Sequence, residues 1–181
     1  MSSGPSSPSA EGSLVGAKAR TLAYLGRRDD FNHAIGQALD LYEKLPSPSP
    51  TRFGKRTEKL AAYAITSYPA SSCLALGMFE EAKRHAETAL REYSTATARD
   101  RSPSREAITK LELAMAMAKL GDPEHAVHLG KEALSSSRIV RSVVNRARQL
   151  EHFLLDRYPE LPAIDELRDR VKAERVGKEM T

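Results

Sequence analysis

Between Leu74 and Leu134 the chain states one pattern twice. Leu74-Ala75-Leu76-Gly77-Met78-Phe79-Glu80-Glu81-Ala82 is followed by Ala86 and Ala89. Ala118-Lys119-Leu120-Gly121-Asp122-Pro123-Glu124-His125-Ala126 is followed by Gly130 and Ala133. In both copies Ala stands five residues after Gly, with small residues nine and twelve after it. A glycine closing an apolar run ends a helix, and small residues at i, i+4 and i+7 lie along one face of the next. Small side chains let another helix approach closely, so the pattern predicts helix-Gly-helix pairs that mate along alanine faces.

The rest of the chain is read around those pairs. Leu14, Val15, Ala19, Leu22 and Leu25 recur at helical spacing over 14–25, and Gly26 ends that helix. Asp29 or Asp30 caps a second helix from Phe31 to Leu45, with Phe31, Ala34, Ile35, Ala38, Leu41 and Tyr42 as its buried stripe. Pro46 to Gly54 is a Ser/Pro-rich connector, and Thr57 caps a helix over Glu58 to Leu76. Pro69 lies inside that helix and predicts a kink or break near Tyr68. A helix from Phe79 to Tyr93 and a polar connector from Ser94 to Arg101 follow. Ser102-Pro103 starts the next helix, whose Ala107–Leu120 part is apolar around most of its circumference and so is expected between neighbours. Asp122 caps the helix after Gly121. From about Ile139 to Arg157, Val140, Val143, Ala147, Leu150 and Leu154 share one side; Arg138, Arg141, Asn145, Arg148 and His152 share the other. Tyr158 to Pro162 is a rigid turn before a last amphipathic helix, Ala163 to Arg175.

No segment alternates with period two, so no sheet is expected. The expected fold is all-α, a right-handed stack of antiparallel helix pairs. About three imperfect repeats and two C-terminal capping helices occupy 14–176, between a disordered tail at 1–13 and a frayed end at 177–181.

Composition narrows the function classes. With 40% apolar and 29% charged residues in 181, the chain reads as a soluble protein with length enough for a core. It has no run of 18 apolar residues. Met1 to Ser13 is mostly Ser, Gly and Pro and lacks the basic start and apolar centre of a signal peptide. A single cysteine, Cys73, fits a reducing compartment, so a cytoplasmic location is expected. The net charge of +4 is spread among acids along most helices, which permits an acidic partner without requiring one.

The glycine-alanine pattern resembles the tetratricopeptide repeat. The resemblance runs through Leu113, Ala114, Met117, Gly121, Ala126, Gly130 and Ala133. In the preceding copy it runs through Ala70, Cys73, Gly77, Phe79, Ala82, Ala86 and Ala89, with Pro69 where a Leu is usual. Gly77 and Gly121 are 44 residues apart (121 − 77). Adjacent repeats would give about 34, and the Ser94–Arg101 connector takes up the excess. A longer resemblance is carried by Arg20-Thr21-Leu22-Ala23-Tyr24-Leu25-Gly26-Arg27-Arg28-Asp29-Asp30-Phe31, Arg101-Ser102-Pro103-Ser104-Arg105-Glu106-Ala107, Ser136-Ser137-Arg138-Ile139-Val140-Arg141-Ser142-Val143 and Arg157-Tyr158-Pro159-Glu160-Leu161-Pro162. These segments are similar to the C-terminal tetratricopeptide halves of actinobacterial transcriptional regulators of the Streptomyces type. In that family a helix-turn-helix domain precedes a sensing or dimerising half. Nothing between Met1 and Leu14 resembles such a domain, so DNA contact would come only through a helix-turn-helix domain absent from this sequence.

The chain contains no phosphate loop, no HExxH, no paired cysteines and no nucleophile elbow. His125 and His128 with Glu124, or Glu81 with His85, give too few ligands for a metal. Neither an enzyme nor a cofactor is expected. The resemblance implies a ligand groove lined by Tyr24, Ser67, Ser71, Leu74, Leu111, Met115 and Lys119, with Arg20 at its edge. The carboxylate-clamping Lys and Asn pairs of chaperone-binding members are absent. Arg138, Arg141 and Arg148 form a basic stripe, either a solvated face or a contact surface for an acidic protein, a carboxylate or a DNA backbone. A protein, peptide or small-ligand partner is expected, homodimerisation is open, and a freestanding scaffold without a role in transcription is the alternative.

Overall fold

The computed structural model describes residues 8–43, 69–95 and 102–179, and every regular element among them is an α-helix. In chain order these are α1 (Pro8–Tyr24), α2 (Arg28–Glu43), α3 (69–75 of it described), α4 (Phe79–Thr95), α5 (Pro103–Leu120), α6 (Pro123–Leu134), α7 (Arg141–Arg157) and α8 (Ala163–Glu179). They divide between two compact units, Met1–Ala89 and Leu90–Thr181.

Three glycines set the pairs, and they do so identically. Gly26, Gly77 and Gly121 have φ of +71°, +72° and +94°. Each donates its N–H to the carbonyl three residues back, on Ala23, Leu74 and Ala118. The next residue (Arg27, Met78 or Asp122) donates to the carbonyl five back, on Leu22, Cys73 or Met117. That residue's own carbonyl then accepts from Phe31, Ala82 or Ala126, opening the following helix. This is the double bond set of a left-handed helix stop, which satisfies orphan carbonyls that would otherwise need water. The pair around Gly26 shares the bond pattern of the other two.

In the first unit, Gly16, Ala19, Leu22 and Ala23 of α1 are buried, as are Phe31, Ala34, Ile35 and Ala38 of α2. Ala70 and Cys73 of α3 and Ala82, Ala86 and Ala89 of α4 are closed off in the same way. The helix over 14–25 differs from expectation at both ends. It starts at Pro8, and Leu14 and Leu25 lie in solvent. Its buried arc is the small-residue one, which allows close approach to α2. Asp29 and Asp30 fall inside the first turn of α2 rather than at its cap, where their charge complements the helix dipole. The expected cap at Thr57, the kink near Tyr68 and the connector at Pro46–Gly54 lie outside the described residues.

The second unit has two layers. α5 packs on α6 and α7, and α6 packs on α7 and α8; among the described residues no Cα of α5 lies within 8 Å of one in α8. Glu112 and Lys119 of α5 meet Arg146 and Phe153 of α7, both pairs 34 residues apart in numbering. Lys131 and Ser135, at the end of α6, meet Glu166 and Arg170 of α8, both 35 apart. Order is conserved in both sets, so α5 runs parallel to α7 and α6 parallel to α8. The pair α7/α8 therefore runs in the same sense as the pair α5/α6.

Small residues make the second unit's close contacts. Ala126 and Ala133 of α6 are fully buried, and a Cβ on Gly130 would sit 3.0 Å from Leu150 Cδ2 and 3.1 Å from Leu167 Cδ1. α6 thus passes between α7 and α8 at a distance only glycine permits without movement. Asp122 caps α6, its Oδ1 accepting the His125 N–H at 3.2 Å, with Pro123 in the first turn. At the same end of α5, Tyr158 donates its hydroxyl to the Ala118 carbonyl at 2.8 Å, tying the end of α7 to the glycine stop.

Candidate ligand-binding surfaces

α5 carries its apolar residues around most of its circumference, as its composition predicts, but two polar residues are also buried on it. Thr109 has its hydroxyl bonded back to the Arg105 carbonyl at 3.1 Å. Glu112 is only 5% exposed, and among the described residues its one charged partner is Arg146, with Nη2 3.5 Å from Oε1. Among the same residues Glu112 Oε2 has no hydrogen-bond partner. Burial pushes this carboxyl up to about 7, against the opposing pull of the Arg146 charge and its hydrogen bond. Seven residues further along both helices, Lys119 Nζ lies 3.9 Å from the centre of the Phe153 ring. Half-buried Met115 lies between Glu112 and Lys119 in sequence, on the same arc of α5. The α5/α7 layer thus presents a surface with an aliphatic centre, a cation resting on an aromatic ring, and a second cation held from below by a buried carboxyl.

A polar cleft of about 420 Å³ opens at the other end of α5, lined by Pro103, Glu106, Lys110, Glu132, Ser135 and Ser136. Lys110 bridges Glu132 at 3.0 Å and Glu106 at 4.0 Å, and Ser136 donates its hydroxyl to the Pro103 carbonyl. The Lys110 ammonium holds the Glu132 carboxyl below the usual range. The charged groups of this cleft thus engage one another.

The expected groove residues fall in both units. In the first, Arg20 is exposed, Tyr24 is 67% exposed, and Ser71 and Leu74 are half-buried. Ser67 lies outside the described residues. In the second, Met115 and Lys119 share the α5 arc described above, whereas Leu111 is buried in the core and does not line a surface. The basic stripe needs a correction at its start. α7 begins at Arg141, because Val140 is extended (φ −111°, ψ 163°), a conformation its branched side chain favours. Arg138 therefore sits in the connector rather than on the helix, and Arg141, Asn145, Arg148 and His152 form the exposed face. Arg146, which spacing alone did not single out, faces α5 instead.

Cys73 is buried, and burial, reinforced by the Glu81 charge, pushes its thiol up to about 12, which leaves no thiolate to react near neutrality. His85 is lowered by burial and by Arg84. Among the described residues no three His, Cys, Asp or Glu side chains converge as metal ligands would, and no helix is long and apolar enough to cross a membrane. Compared with protein-family models, with curated proteins and with solved structures, the chain finds no match in any of the three.

Proposed function

We propose that this chain is a tetratricopeptide-like interaction module that holds a protein, a peptide or a small ligand and performs no catalysis. The observation that carries the reading is the register of the second unit. α5 meets α7 at an offset of 34 residues twice, and α6 meets α8 at 35 twice. That is the length at which tetratricopeptide pairs repeat. The shared bonding of the three glycine stops and the buried alanines at matching positions support the same reading. The α5/α7 surface around Met115 and Lys119 is the ligand face, since the first helices of such pairs line the groove. By its sequence resemblance the module serves a transcriptional regulator as its sensing or dimerising half, and DNA contact belongs to a helix-turn-helix domain elsewhere.

A thermal-shift screen of peptides and small molecules tests the binding claim. A ligand present at 100 times its Kd adds about 2.7 kcal/mol of stability. Met115→Glu should abolish that gain while leaving the unliganded protein folded. A ligand whose effect survives Met115→Glu would move the site elsewhere. The regulatory role is tested by the adjacent reading frame and by pull-down. A helix-turn-helix domain in that frame, or a regulator that binds the chain directly, supports it. Finding neither leaves a freestanding scaffold.

A further inference from the structure

From Ala133 to Leu150 the chain holds four arginines and no aspartate or glutamate. Arg146 is engaged by Glu112. Arg138, Arg141 and Arg148 are exposed and, among the described residues, have no carboxylate within 4.0 Å. The cations on the neighbouring helices behave differently. Lys131, Arg168, Arg170 and Lys172 of α6 and α8 each have a carboxylate within that distance. The last helix pair of a repeat array needs a polar outer face for solubility, but solubility does not require charge of one sign. Arg141 also stands at the positive end of the α7 dipole, with no acid in the first turn and a cap residue, Val140, that has no side-chain oxygen. Like charge is thus stacked on like charge where an anion would be stabilised.

We infer that the outer face of α7, with Arg138 at its entrance, is a docking surface for an acidic segment of a partner polypeptide. Its dimensions favour a peptide over nucleic acid. Arg141 and Arg148 are two turns apart, about 10 Å along the helix axis. Alternate residues of an extended strand point to one side about 7 Å apart, so two carboxylates of one strand come within reach of both long, flexible arginine side chains. Asn145 and His152 lie on the same face and supply further donors. A duplex would meet only three guanidinium groups here, few contacts for a phosphate backbone, and no Phe, Tyr or Trp stands on the face for a base to stack on. The assignment does not depend on the α5/α7 ligand face, which is a different side of α7.

The test is fluorescence anisotropy on the full chain with two labelled probes, a glutamate-rich decapeptide and a 20-base-pair duplex, across a range of salt. Arg141→Glu/Arg148→Glu removes the surface. Arg168→Glu/Lys172→Glu makes the same charge change on α8. Arg141→Gln/Arg148→Gln guards against misfolding by the reversal, with circular dichroism checking each. Peptide binding should fall about tenfold or more in the α7 reversal, by an intermediate factor in the glutamine variant, and by less than about threefold in the α8 variant. No peptide binding by the native chain, equal loss in the α8 variant, or tighter binding of the duplex would each overturn the assignment. None of these results bears on a ligand held through Met115.

Discussion

Glu112 and Arg146 stand 34 residues apart in the chain and 3.5 Å apart in space. A buried carboxylate on α5 and a guanidinium on α7, the latter's side chain 35% exposed, therefore join two parallel helices. The contact is one-sided. Arg146 keeps part of its hydration, whereas Glu112 has lost nearly all of its own and has one oxygen unpartnered. Such a pair contributes little net stability, but removing the arginine alone is costly.

The pH dependence follows from that asymmetry. The folded Glu112 carboxyl titrates near 7, above the 4.5 of an unperturbed glutamate. Between those values the folded chain holds a proton that the unfolded chain releases, so this group's contribution to stability falls as pH rises through the window. Glu112→Gln should match the native protein below pH 4.5 and exceed it above pH 7 by on the order of 2–3 kcal/mol. Arg146→Ala should be less stable than the native protein at pH 8, where Glu112 loses the charge that offsets its burial and its carboxyl is pushed up further. Urea melts at pH 4, 6 and 8 measure both effects.

Gly26, Gly77 and Gly121 have open space where a Cβ would stand, so steric clash is not what makes them glycine. Their positive φ is. Each Gly→Ala change should cost about 1–2 kcal/mol, with no repacking elsewhere. The check is the three melting curves together with unchanged chemical shifts in the facing helices.

Gly130 is the opposite case, with ordinary helical backbone and no room. Gly130→Leu should cost about 2–3 kcal/mol by driving α6 away from Leu150 and Leu167. Hydrogen exchange should quicken in α7 and α8 more than in α5.

Tyr158→Phe removes the hydroxyl from the Ala118 carbonyl while keeping the ring. A loss of about 1 kcal/mol is expected, and it should be absent from a Tyr24→Phe control, whose ring is exposed.

The glycine stops were readable because their chemistry is local: a residue that must take positive φ and the small residues placed after it announce a helix pair within a dozen positions. The parallel run of α7 along α5 was not readable. Tyr158 and the two prolines at 159 and 162 make the turn after α7, and no glycine marks it. Glu112 lay hidden in the most apolar helix, and only the 34-residue return of α7 gives it Arg146. The same return separates Arg146 from Arg141 and Arg148, which spacing alone could not sort into inner and outer arginines. Helical spacing places Leu14 and Leu25 on α1 without showing that they lie in solvent, because the small-residue arc sets how closely α1 and α2 approach.

The register of α5 on α7 and of α6 on α8 is what the functional reading rests on, and nuclear Overhauser contacts measure it directly. Cross-peaks from the Phe153 ring to the Lys119 side chain, and from Gly130 to the methyls of both Leu150 and Leu167, are expected, with none between α5 and α8. Contacts joining Leu111 or Leu113 to Ile164 or Leu167, in place of those, would describe a closed bundle and contradict the two-layer arrangement.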